Sequence, residues 1–190
     1  MKLYSGPLSL FARKVEFALH EKGLTFERVM VPYTQSGGYA PKHPAVLAAN
    51  PKGQVPVLED GDFLLTESSA ILKYLAEKFG SKTYPSDLRK RARVNQMMDW
   101  FNTGLYRDLG YGLIYPQILP TYKRQDDQVQ AATLAWSREK ARGWLKILDE
   151  NLIGPRNAYV GGSEITLADY LGSAYLTVGE VIRLDCSAYP

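Results

Sequence analysis

Hydrophobic positions follow two regimes along this 190-residue chain. Up to Phe79, short apolar runs take turns with helix-like stripes, whereas from Leu88 onward the spacing is helical, with no convincing strand alternation. Residues 2–5 read as a strand, Gly6 and Pro7 as a turn, and residues 9–21 as a helix that stops at Gly23. A second strand follows over residues 26–31, and a strand, a helix and a parallel strand make a right-handed crossover unit. Two more short runs, residues 57–59 and 63–65, face each other across Asp60 and Gly61 as a tight hairpin. Ile71, Leu72, Leu75 and Phe79 then form one apolar stripe on a helix that opens near Glu67.

Residues 80–87, GSKTYPSD, are rich in turn formers and mark a boundary. The expected organisation is a domain over 1–80, a linker over 81–87 and an all-helical domain over 88–190. In that second part, residues 89–115 read as one long helix, bent around Gly104, Gly110 or Gly112 and ending before Pro116. Another helix covers residues 127–152. Thr166 and Asp169 have the spacing of a capping box, with Ile165 as a hydrophobic staple to Tyr170, so Asp169 is expected to serve folding rather than chemistry.

Composition narrows the picture only slightly. Hydrophobic residues make up 45% and charged residues 23%, which is ordinary for globular chains. Lys and Arg number 23 against 20 Asp and Glu, a formal charge of +3 spread over both halves, so no basic face for nucleic acid stands out. The single cysteine, Cys186, excludes an internal disulfide framework and a thiol-ligated metal cluster, and no metal site is expected. The opening MKLYSGP lacks the pattern of a secretion signal and no apolar run approaches membrane-spanning length, so a cytoplasmic protein is expected.

The candidate chemistry sits in two places. Gln54, Val55 and Pro56 precede the hairpin, where a proline at the start of a strand sacrifices no ladder donor. A cis bond there would turn the Val55 backbone outward, to pair with a peptide ligand. Glu67 and Ser68 lie at a helix start, where backbone amides and the serine hydroxyl suit a carboxylate and Glu67 suits an ammonium group. Together these fit the two charged ends of an amino acid. Ser9 occupies the first turn of the first helix, where a hydroxyl and the helix end can stabilise an anion.

The order PLSLFARKV, GQVPVL and ESSAILKYLAEKF resembles the soluble, cytosolic-type glutathione transferases, particularly serine-dependent phi, theta and tau-like members and related bacterial proteins. ITLADYLGSAYL is similar to that family's second-domain motif, so the resemblance spans essentially the whole chain. It implies an N-terminal thioredoxin-like domain of βαβ-αββα order and a helical second domain. It also implies glutathione as co-substrate, with Ser9 holding its sulfur as the thiolate and an apolar electrophile as the acceptor. A thiol of ordinary pKa, about 8.5, is only a few per cent ionised at pH 7, so something must stabilise the anion. Lowering that pKa by about two units corresponds to roughly 2.7 kcal/mol.

The resemblance places Lys42 and His43 against the glycine carboxylate of the tripeptide, and Gln54, Val55, Pro56, Glu67 and Ser68 along its other parts. Phe11, Tyr106, Tyr111 and Tyr115 are candidates for the electrophile pocket. Tyr4 and Ser5 compete with Ser9 for the activating role, because other members use a tyrosine at the end of their first strand. Arg13 shares the helical face of Ser9, and His20 is assigned no role. A homodimer is expected, with the helix over residues 67–79 and the one through Met97 and Met98 offering apolar surface. Related proteins continue past SAYP, so the second domain is expected to lack its last one or two helices. Two other functions fit the same residues: a non-catalytic glutathione-binding carrier, regulatory or stress-response protein, and a glutathione-dependent peroxidase, dehalogenase or isomerase.

Overall fold

The computed structural model describes residues 1–189. The chain divides into two compact units, Met1–Ser81 and Lys82–Pro190. The first is built on a four-stranded mixed sheet of order β2-β1-β3-β4. Its strands are β1 (Lys2–Ser5), β2 (Glu27–Met30), β3 (Val57–Asp60) and β4 (Phe63–Thr66). β1 runs parallel to β2 and antiparallel to β3, so the crossover through α1 (Leu10–Glu21) joins the one parallel pair.

The two faces of β1 fix the layers. Leu3, paired with Leu58, is fully buried; α1 and α3 (Ser68–Phe79) pack together, and Val15 and Leu19 of α1 and Ile71, Leu72 and Leu75 of α3 are all buried. Tyr4 and Val57 point the other way and form a second cluster with Val31 and Val46, closed by Ala45 and Ala49 of α2 (Pro44–Ala49). These helices on either face make the unit thioredoxin-like, as the motif order implied.

The hairpin turn is shifted by one residue from the expected position. Asp60 pairs with Phe63 inside the ladder, so the turn is Gly61 and Asp62, with Gly61 at φ 68° supplying the left-handed conformation a two-residue hairpin needs. Asp60 is free to do something else: its carboxylate accepts from the Tyr74 hydroxyl at 2.6 Å and pairs with Lys78, tying the hairpin to α3.

The second unit is helical. α4 (Leu88–Asp99) begins at Asp87, whose carboxylate caps Lys90 N–H at 2.9 Å. It continues into a widened stretch, Trp100–Ile114, in which Tyr115 N–H reaches back five residues to the Gly110 carbonyl, and ends in α5 (Tyr115–Ile118). Pro116 therefore lies inside the helical run, not after it. It falls in the first turn of the renewed α-helix, a position at which proline is tolerated. The glycines serve close packing rather than bending. A Cβ on Gly104 would lie 2.2 Å from the Trp144 ring, and one on Gly112 would lie 2.6 Å from Ser137 Oγ. Both partners are on α6 (Asp127–Ile147), which widens in turn over Leu148–Ile153.

Met98, Phe101, Leu105, Leu109 and Leu113 form the buried stripe of the long run, with Leu167, Leu171 and Tyr175 of α7 (Leu167–Gly179) also buried. Met98 is turned fully into this core, so it offers no apolar surface to a second copy. Asp169 anchors the start of α7. Its Oδ2 accepts from Thr166 N–H at 2.7 Å and from the Thr166 hydroxyl at 2.9 Å, while Oδ1 accepts from Val160 N–H at 2.8 Å. Removing a charged acceptor of three donors strands partly buried polar groups. Asp169→Ala is expected to destabilise the protein by about 2 kcal/mol, read from its urea midpoint, and an unchanged midpoint would contradict the anchoring role.

Candidate active site

Ser9 caps α1 from the residue before it. Its backbone is extended, its N–H donates to the Gly6 carbonyl at 3.0 Å, and its Oγ accepts from Ala12 N–H at 3.1 Å. The cap bond uses a lone pair of the oxygen, which leaves the hydroxyl hydrogen for a ligand. The serine is half-buried, and the positive end of the α1 dipole lies beneath it.

The two rival hydroxyls are committed elsewhere. Tyr4 donates to Glu59 Oε2 at 3.1 Å, and burial, then that bond and the Glu59 charge, pushes its phenol up. Ser5 is buried and donates to Glu16, which also pairs with Arg28 at 3.3 Å. Both sit on β1 within side-chain networks that brace the sheet, whereas Ser9 stands in the loop beyond it. Arg13 is exposed on α1.

Tyr39 supports that loop and was not visible as a site residue in the sequence. Its hydroxyl accepts from Leu8 N–H at 3.2 Å, and its ring lies so close to Gly6 that a Cβ there would be 2.6 Å from Cε1. No local pattern links residue 39 to residues 6–8; the contact exists only once the chain has folded back.

The other wall is made by residues 50–56 and the start of α3. Asn50, buried, is its fastener: Nδ2 donates to the Gln54 carbonyl at 2.8 Å and Oδ1 accepts from Lys52 N–H at 3.1 Å. Gln54 is exposed, Val55 half-buried and Pro56 buried, and the Val55–Pro56 bond is cis. Ser68 is buried as the first residue of α3. Glu67 stands at the N-cap with φ 67°, an uncommon backbone region for a residue with a side chain, and makes no cap bond. Its carboxylate instead projects outward and pairs with Lys52. The helix start is thus left without a cap from its own N-cap side chain, which suits an external carboxylate.

His43 is the N-cap of α2 and stacks obliquely 5.6 Å from the Tyr4 ring, with Nδ1 buried. Lys42 is exposed, its ammonium 5.8 Å from the Tyr39 ring centroid and its stem packed over Gly53. Lys42 therefore borders the loop that carries Gln54. His20 stacks on Phe26 at 5.2 Å in a T-shaped contact, which accounts for it structurally.

Phe11, half-buried on α1, lies 4.7 Å from the Lys14 ammonium. In the second unit Tyr106, Tyr111 and Tyr115 come together as a cluster completed by Tyr122 and Tyr175. The Tyr106 ring is 5.0 Å from Tyr111 and stacks 5.0 Å from Tyr175. The Tyr106 and Tyr115 hydroxyls share a hydrogen bond of 3.0 Å. Burial, then the neighbouring phenols, pushes the Tyr106 hydroxyl strongly up, so it stays protonated. Tyr111 keeps 41% of its surface exposed, while Tyr106, Tyr115 and Tyr122 are half-buried. Among the described residues no group of three or more His, Cys, Asp or Glu is arranged to hold a metal, and no helix is long and apolar enough to cross a membrane.

Residues 3–83 match the family model described as glutathione S-transferase, N-terminal domain. The chain is 37% identical over 127 residues to glutathione S-transferase theta-1 of Bos taurus, covering 66% of this chain and 52% of that protein, so it spans about half the length of that relative. It is 32% identical over 192 residues to glutathione S-transferase 1 of Dianthus caryophyllus, covering 100% of this chain and 82% of the relative. Among solved structures, a delta-class glutathione transferase of Nilaparvata lugens superposes with a TM-score of 0.81 at 31% identity, covering 99% of this chain and 82% of that one.

Proposed function

This chain belongs to the glutathione S-transferase family, and from that premise we propose that it conjugates the thiolate of glutathione to an apolar electrophile, with Ser9 holding the sulfur as its anion. The observation that carries the proposal is the disposition of hydroxyls around β1. Tyr4 and Ser5 already donate to carboxylates, while Ser9 accepts a helix N–H and keeps its own hydrogen to give. A donor at the positive end of a helix stabilises a thiolate without needing a base.

In this reading Glu67 receives the ammonium of the γ-glutamyl end and Ser68 its carboxylate, while the Val55 backbone pairs with the cysteinyl unit. Lys42 and His43 serve the glycine end, and Gln54 lies along the rest of the tripeptide. Within the second unit, the tyrosine cluster around Tyr106, Tyr111 and Tyr115 supplies aromatic surface for the electrophile. The protein works as a cytoplasmic homodimer. Support for a second copy comes from Phe63, Leu64 and Phe79, large apolar side chains left exposed on β4 and α3.

Purified protein titrated with reduced glutathione and then supplied with an aryl halide tests the proposal, heat and product being followed in turn. Glu67→Ala is expected to weaken glutathione binding about 10-fold, the worth of one charge-assisted hydrogen bond, with the thermal midpoint little changed. Equal affinity in this variant would reduce Glu67 to a helix-start residue. Binding without turnover would favour a carrier.

A further inference from the structure

The proposed function leaves Lys52 without a task, yet this residue is built into the ligand wall. Its backbone is fixed by Asn50, whose side chain accepts the Lys52 N–H and whose carbonyl accepts Gly53 N–H at 2.7 Å. From that turn its side chain crosses to α3 and contacts Oε1 of Glu67. The ion pair thus spans the stretch that carries Gln54, Val55 and Pro56.

Two features argue that this contact does not exist for stability. Both side chains are exposed, 57% for Lys52 and 62% for Glu67, and exposed pairs add little to folding. The Glu67 backbone also sits at φ 67°, a conformation that costs free energy and recurs at functional sites. That conformation directs the carboxylate away from its own helix start and outward to a cation. The cation now in place is an alkylammonium, the same chemical group as the α-ammonium of an amino acid.

We propose that Lys52 is an internal surrogate for the ligand's ammonium group. It occupies the Glu67 carboxylate in the ligand-free protein, keeps it oriented, and competes with the incoming α-ammonium for it. Glutathione binding then exchanges one ammonium for another, so the net gain from Glu67 is reduced by the Lys52 contact that is given up. Lys52 is in this sense a positioning and affinity-setting residue, and it takes no part in thiol chemistry. The inference rests on the proposed binding of a γ-glutamyl end at Glu67.

The test compares wild type, Lys52→Met, Glu67→Gln and the double variant, each titrated with reduced glutathione and with an analogue whose α-amino group is replaced by hydrogen. Removing a competitor of exposed-pair strength is expected to tighten glutathione binding by about 2- to 5-fold in Lys52→Met. No gain is expected for the deaminated analogue, and none when Glu67→Gln is already present. A merely structural Lys52 would not distinguish the two ligands. Unchanged or weaker glutathione binding in Lys52→Met, or an equal gain for both ligands, overturns the competition while leaving glutathione as the ligand. Failure of wild type to bind glutathione overturns the ligand reading itself and the competition with it.

Discussion

Replacing Ser9 by alanine is expected to lower turnover about 25-fold at pH 7 while leaving glutathione affinity within a few-fold of wild type. The size follows from the thiol: a shift of about two pKa units, from about 8.5 to about 6.5, changes the thiolate fraction about 25-fold at pH 7 and approaches about 100-fold only at lower pH. The loss should shrink as pH rises toward the pKa of free glutathione, because solvent then supplies the anion that Ser9 no longer stabilises. The same substitution removes the Ala12 cap bond, so about 1 kcal/mol of stability goes with it, a cost that turnover measured below the unfolding transition does not register. Steady-state rates across pH 6 to 9 check the prediction. Unchanged turnover at pH 6.5 would move the activating role to another group, and Tyr4 and Ser5 would first have to give up Glu59 and Glu16.

The second large effect concerns stability. Lys14 lies on α1 with 2% of its surface exposed, and burial pushes its ammonium down from 10.5 to about 7. The unfolded chain holds this proton up to about pH 10.5, the folded chain only to about pH 7. Between those values the unfolded state binds more protons, so this group makes stability rise with pH, and its full destabilising effect is felt below about pH 7. Lys14→Met keeps an unbranched apolar side chain and removes the charge. It is expected to be the more stable protein at pH 7, by about 4 kcal/mol before packing differences, with the gap closing by about 3 kcal/mol on going to pH 9.5. Urea unfolding of both proteins at the two pH values reads this directly. Parallel stability profiles would show that Lys14 keeps its charge in the folded protein.

The legible parts of this molecule were those encoded locally. Ser9 after a Gly6-Pro7 turn, Glu67 and Ser68 ahead of an apolar stripe, and Thr166 three residues before Asp169 are all short-range signals of helix starts, and each marks one in the structure. The alternation of strands and helices up to Phe79 likewise gave the thioredoxin-like order. What escaped was set by contacts distant in sequence. Tyr39 reaches Leu8 across 31 positions, and Lys52 reaches Glu67 across 15, by a path no periodicity describes. Pro116 misled for a different reason: its rule assumes a continuing α-helix, and the chain meets it where a widened helix resets. Gly104 looked like a hinge because a lone glycine gives no hint of its neighbour, here the Trp144 ring. Met98 looked like interface until the stripe it belongs to was seen to face the core.

The most direct test of the central claim is the pKa of the glutathione thiol on the protein, read from thiolate absorbance across pH 5 to 9 in wild type and in Ser9→Ala at saturating ligand. The expected value is about two units below the ordinary thiol pKa of about 8.5 in wild type, returning most of the way in Ser9→Ala. Glutathione bound to wild type with its thiol pKa unshifted would contradict it.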